Sequence, residues 1–238
     1  FDFGARFGTP ESLISRMSRT PVYIICSTRP FVGKTLMARV LSEYLLLAHG
    51  AVVAFDINVK EPSLLDFLPR LTETAQIDDT FGKMDLMDRL IVHDGVPKVI
   101  DLGFHAFDEF FGMCAEIGFI KEAARRQVAP LVLYVPDHDR TALRGYETLE
   151  TTIPPRQLVV IDNEQVQRGE LPSALAHGRV MRVPALPPFL KTYIDRLNFS
   201  FTGYLRSEPD ATTELNQWIR RNYTIFREYE LELTGARV

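Results

Sequence analysis

Six short apolar runs, at residues 22–27, 51–57, 98–102, 130–136, 157–162 and 179–183, recur along the chain with helix-length segments between them. Strands alternating with helices build βαβ units, whose natural product is a mostly parallel sheet. Several runs (VVAF, LVLYV, LVVI) are apolar without interruption, as strands are when helices cover both faces of the sheet. Helical spacing predicts helices over 34–49, 82–93, 106–126, 140–151 and 164–177, with a further turn at 64–68. Residues 70–81 are polar and aperiodic and read as a loop. Beyond residue 187 the pattern is helical only, over 188–206 and from 211 to about 231. The expected fold class is therefore α/β, a mostly parallel central sheet with helices on both faces and a helical C-terminal segment. A chain of 238 residues is long enough to bury a sizeable core. We expect an arm at 1–20, a core at 21–186 that holds the sheet, and C-terminal helices at 187–238 packed on the same domain.

The first run carries the most chemistry. VYIICSTRPFVGKT leads an apolar strand into a loop ending Gly33-Lys34-Thr35, followed at once by an amphipathic helix that stops at Gly50. In a P-loop, backbone N–H groups of the loop and helix N-terminus face one concave nest. The Lys ammonium reaches the outer phosphates and the Ser/Thr hydroxyl ligates Mg²⁺. Against G-x-x-x-x-G-K-[ST], the second half is complete, and Thr28 stands where the first Gly belongs. Pro30 has no N–H to donate, and Phe31 is bulky for a loop that wraps phosphates. The expected nucleotide contacts are Thr28, Val32, Gly33, Lys34, Thr35 and Leu36. Carboxylates at strand ends complete such a site by holding Mg²⁺ and orienting water. Asp56 closes the second run and Asp101 the third, so Thr35, Asp56 and Asp101 form the expected metal set. The fold class is thereby narrowed to P-loop NTPase-like.

Composition excludes several classes. Hydrophobic content of 46% and charged content of 24% are globular values. A net charge of −4 argues against a coat of positive charge for sequence-independent nucleic-acid binding and leaves room only for a local basic patch. Cys26 and Cys114 form neither a disulfide framework nor a metal motif, which fits a reducing, cytoplasmic setting. No apolar run approaches the roughly 20 residues that span a bilayer.

The chain resembles the deviant Walker A ATPases of the ParA/MinD type. Their loop, K-G-G-x-G-K-[ST], aligns with Arg29-Pro30-Phe31-Val32-Gly33-Lys34-Thr35, Asp56 in FDINVKEP matches the Asp that opens switch I, and Asp101 in VIDLGFH matches the start of switch II. Asn163, after the apolar LVVID, matches the side that meets the nucleotide base, and RVPALPP resembles the segment beside the adenine. The resemblance implies ATP and Mg²⁺ as cofactors, Lys34, Asp56 and Arg29 in catalytic roles, and a homodimer formed with ATP. Arg29 takes the place of the signature Lys that crosses to the partner's phosphates, a role a guanidinium fork can fill. Asn58 replaces a second switch I Asp, and an amide does not accept a proton as a carboxylate does. Slow or partner-stimulated hydrolysis is therefore expected.

The function so implied is an ATP-dependent switch for intracellular positioning or partitioning, acting on an unidentified protein partner. Alternatives are a non-hydrolysing scaffold of the same fold and a metabolic ATP-dependent ligase of the same P-loop branch. Two surfaces bear on partners. Phe110 and Phe111 follow the presumed switch II, and Trp218, Ile219, Ile225, Phe226 and Tyr229 line the C-terminal segment. Glu228, Glu230 and Glu232 oppose anionic lipid there, so packing or protein contact is expected rather than membrane.

Overall fold

A computed structural model describes residues 19–57, 63–167, 169–208 and 210–234. The expected arm therefore lies almost wholly outside the described residues, as does Asn58. Seven strands form one sheet in the order β3-β2-β4-β1-β5-β6-β7, and every neighbouring pair is parallel. They are β1 (Thr20–Cys26), β2 (Val53–Ile57), β3 (Thr72–Thr74), β4 (Lys98–Leu102), β5 (Val128–Tyr134), β6 (Leu158–Asn163) and β7 (Arg179–Val183). Strands β2 to β4 lie on one side of β1 and β5 to β7 on the other. The chain thus reverses its direction of progress at β1, and in open parallel sheets the crevice at such a point, outside the carboxyl ends of the strands, is where ligands bind.

Burial follows the two-residue period of a strand even where the run is apolar throughout. Val22, Ile24 and Cys26 of β1 join one core cluster, while Tyr23 and Ile25 join the other. The first cluster is covered by α3 (Thr80–Leu90), α4 (Phe107–Glu116), α5 (Phe119–Arg125) and α6 (Arg140–Thr152). The second lies under α1 (Lys34–His49) and α2 (Leu64–Phe67), together with the C-terminal helices α8 (Pro188–Ile194), α9 (Phe201–Ser207) and α10 (Glu214–Thr234). A further short helix, α7, spans Ser173–Ala176.

Several expected elements are corrected. The segment 106–126 is two helices, because Gly118 adopts φ +64° and ψ +40°, a left-handed geometry that ends a helix. Among the described residues of 164–177, a turn at 164–166 and the single turn of α7 replace the expected helix. Val166 and Gln167 both donate to the Asn163 carbonyl, and Pro172 precedes the helix. The helix expected over 188–206 breaks at 195–200, where Ser200 starts α9 afresh by accepting the Gly203 amide at 3.0 Å. The loop at 70–81 contains β3, three residues paired with Ala54, Phe55 and Asp56, whose strand state comes from the neighbouring backbone rather than from any apolar pattern. Phe110 and Phe111 are 0% and 7% exposed, so they are core residues and not a partner surface.

Helix α1 carries the polar anchors of the C-terminal helices. Glu43, 4% exposed, accepts from the Phe201 and Thr202 amides at 3.1 and 2.9 Å and from the Ser200 hydroxyl at 2.6 Å. A carboxylate at a helix N-terminus is favoured both by the orphan amides and by the helix dipole. Tyr44 donates to Glu230 at 2.8 Å, and His49 Nε2 meets the same carboxylate at 2.6 Å. The tyrosine hydroxyl is pushed well above its ordinary pKa, first by burial and then by that carboxylate. Trp218, Ile219 and Phe226 of α10 are buried, so the C-terminal apolar face is spent on packing. Among the described residues no helix is long and apolar enough to cross a membrane.

Candidate functional site

The loop between β1 and α1 opens on a cavity of about 520 Å³ that Gly33, Lys34, Thr35, Leu36 and Asn163 help to line. Its position is the carboxyl edge of the sheet beside β1. Gly33 is the residue just before α1 and has φ +94°, which L side chains rarely adopt. A Cβ built there would stand 2.7 Å from Asn163 Nδ2. That amide is fixed at both ends: Nδ2 donates to the Val32 carbonyl at 2.9 Å, and Oδ1 accepts the Gln165 amide at 3.2 Å. Asn163 therefore clamps the loop from β6, and Val32, 1% exposed, is a buried strut of it.

Lys34 is 7% exposed and curls back to donate to the Arg29 carbonyl at 2.8 Å. Its ammonium is thus held inside the loop at the start of a 16-residue helix. Thr35 donates to Asp101 Oδ2 at 2.6 Å. Asp101 and Asp56 are register partners on adjacent parallel strands, so both project to the α1 side, and both are buried, at 0% and 2% exposure. The expected metal set is brought together as a hydroxyl and two carboxylates. Mg²⁺ is held in this way, by one or two carboxylates with substrate phosphates and water completing the shell. Among the described residues no group of three His, Cys, Asp or Glu side chains is arranged to hold a metal alone. Asp56 Oδ2 also accepts the Leu65 amide at 3.1 Å.

Two expected residues face elsewhere. Thr28 contacts the Tyr134 hydroxyl at 3.2 Å and donates to the Thr141 carbonyl at 3.0 Å, so its side chain is spent on α6 rather than on the cavity. Arg29 Nε donates to Asp137 at 2.9 Å, and Nη2 lies 3.7 Å from Asp139. A reach into a facing subunit would have to break both pairs. His105, in the short turn after β4, is exposed.

Phe31 holds φ +58° and is 85% exposed. The position that aligns with a family Gly thus keeps the glycine-like backbone without the glycine. A left-handed bulky residue costs about 1–2 kcal/mol, and glycine returns roughly 0.5–1 kcal/mol of that through the unfolded chain. Phe31→Gly is expected to leave stability unchanged or raise it by up to about 1.5 kcal/mol. Urea unfolding checks this, and a loss larger than the expected gain would show that the ring is packed rather than displayed.

Sequence reasoning missed the part of the cavity that Arg39, Phe67, Lys191, Asp195 and Trp218 line. Arg39 is 1% exposed. Its Nη2 donates to the Ile194 carbonyl at 2.7 Å, and its guanidinium lies 3.8 Å from the Phe67 ring centroid. Burial lowers its pKa to about 10, against the pull of Glu43 and Asp195, so it is charged at neutral pH. The available signal was a cation four residues after Thr35 on the apolar face of a predicted helix. Cys26, beneath the loop, is an inert thiol, since burial pushes its pKa far up. No protein-family model and no curated protein matches the chain.

Proposed function

We propose that this chain is a Mg²⁺- and ATP-binding switch in which the β1–α1 loop acts as a P-loop. The observation that carries the reading is the juxtaposition of four groups at the start of α1, two of which, Lys34 and Thr35, line the cavity. Lys34 is folded into the loop, Thr35 is hydrogen-bonded to Asp101, and Asp56 stands beside Asp101 in register. Lys34 and the loop amides would hold the outer phosphates. Thr35, Asp101 and Asp56 would hold Mg²⁺, whose role is to neutralise phosphate charge. The apolar wall of Leu36, Val183, Pro184, Leu186 and Trp218 suits a base and ribose. Dimerisation with ATP and action on a protein partner belong to the same proposal, through the ParA/MinD resemblance.

One observation favours the scaffold alternative. Arg29 is engaged within its own chain by Asp137 and Asp139, so the cation that would act across a dimer is committed elsewhere. Slow or partner-stimulated hydrolysis belongs to the switch reading, and none is expected of the scaffold. Calorimetry with ATP and with ADP, each with Mg²⁺, separates them. Saturable heat at micromolar to submillimolar nucleotide is expected, and no heat with either would leave only the scaffold.

A further inference from the structure

Phe31 is displayed at a cost that the fold does not recover. Its backbone is left-handed, with φ +58°, and its ring is 85% exposed, so the residue brings the folded state neither a relaxed backbone nor buried apolar area. The backbone on either side of it is braced. Lys34 Nζ donates to the Arg29 carbonyl at 2.8 Å, Asn163 Nδ2 donates to the Val32 carbonyl at 2.9 Å, and Val32 itself is buried. A fixed loop thus presents one large aromatic ring, and that ring lines the 520 Å³ cavity.

The apolar wall of the same cavity comes from other elements. Val183 closes β7, Pro184 and Leu186 follow it, and Trp218 belongs to α10. Polar groups along this wall are engaged with one another. Trp218 Nε1 donates to the Pro184 carbonyl at 2.7 Å, the Ala185 amide to Glu164 at 3.3 Å, and the Leu186 amide to Gln165 at 3.2 Å. Pro184 has no N–H, and the side-chain amide of Asn163 is bonded at both ends. A planar ring that enters the cavity therefore finds apolar faces to stack on, while the groups that would read its edge are spent within the chain.

We infer that Phe31 is a stacking platform for the base of the bound nucleotide, and that the site holds this base by its faces rather than by its edge. The inference rests on the proposed nucleotide reading and adds its specificity: the ligand class is nucleoside triphosphates, with no strong preference among bases. Every base has a π-face, so stacking on an aromatic side chain tolerates its identity. A ring with two side-chain torsions loses little freedom when a ligand covers it, and a braced loop has little left to order on binding.

Isothermal titration on the full chain tests this with Mg²⁺ and, in turn, ATP, GTP, CTP and inorganic tripolyphosphate, which carries phosphates and no base. The proteins are wild type, the truncations Phe31→Ala and Phe31→Gly, and the conservative Phe31→Tyr. Both truncations are expected to raise the Kd for ATP about tenfold, the scale of one base stacked on one aromatic ring. Tripolyphosphate should bind the truncations and wild type within about twofold, Phe31→Tyr should bind ATP as wild type does, and wild type should bind the nucleotides within about tenfold of one another. A rise for ATP below about threefold, an equal rise for tripolyphosphate, or a larger wild-type preference for one base overturns the platform and leaves the proposed function standing. No binding heat with any nucleotide overturns both.

Discussion

Lys34→Ala is expected to raise the Kd for Mg²⁺–ATP by roughly ten- to a hundred-fold, the equivalent of about 1.5–3 kcal/mol for a hydrogen bond to a charged group. The ammonium is already inside the loop, 2.8 Å from the Arg29 carbonyl, so little side-chain entropy remains to be lost when a phosphate arrives. Turning from the neutral Arg29 carbonyl to phosphate oxygens sets an ionised acceptor against a donor that is already charged, which strengthens the interaction. Lys34→Arg is not expected to restore binding, since a planar fork does not fit the space of a compact point charge. Isothermal titration with ATP checks both variants. A Kd within twofold of wild type for Lys34→Ala would remove this lysine from the site and with it the proposed function.

Gly33→Ala is expected to destabilise the fold by roughly 2–5 kcal/mol and to abolish nucleotide binding, through two independent costs. The first is the backbone: φ +94° is left-handed, which costs an L residue about 1–2 kcal/mol. The second is steric, because the new methyl would lie 2.7 Å from Asn163 Nδ2. Asn163 is 4% exposed and bonded at both ends of its amide. Displacing it leaves the buried Val32 carbonyl without its donor, a loss of about 1–3 kcal/mol. Urea unfolding of the single and double variants separates the terms. In an Asn163→Ala background, Gly33→Ala should cost only the backbone part. Equal costs in both backgrounds would show that the contact with Asn163 carries no energy.

The candidate site divides in the same way between what is local and what is not. Gly33, Lys34 and Thr35 were legible because a strand, a loop and a helix adjoin in sequence, and α1 runs over Lys34–His49, the range its periodicity predicts. Asp56 and Asp101 were legible as strand-end carboxylates. Their register pairing was not, since it depends on β4 inserting between β2 and β1. Thr28 was assigned to the ligand because its place in the motif is a sequence property. Its actual partners, Tyr134 and Thr141, lie 106 and 113 residues away.

The pattern of apolar runs by itself determined that this chain forms an α/β structure around a parallel sheet, because hydrophobic burial depends on side-chain periodicity, and periodicity is local. It also determined where α1 begins and ends, since Gly33 and Gly50 take backbone angles that few other residues accept. Only the tertiary structure decided that Asn163 clamps the loop, that Asp137 and Asp139 engage Arg29, and that Phe67 covers Arg39. It alone made β3 a strand, through the backbone of β2. Each of these joins residues whose neighbourhood is set by strand order, and strand order arises from the packing of whole elements rather than from any window of sequence.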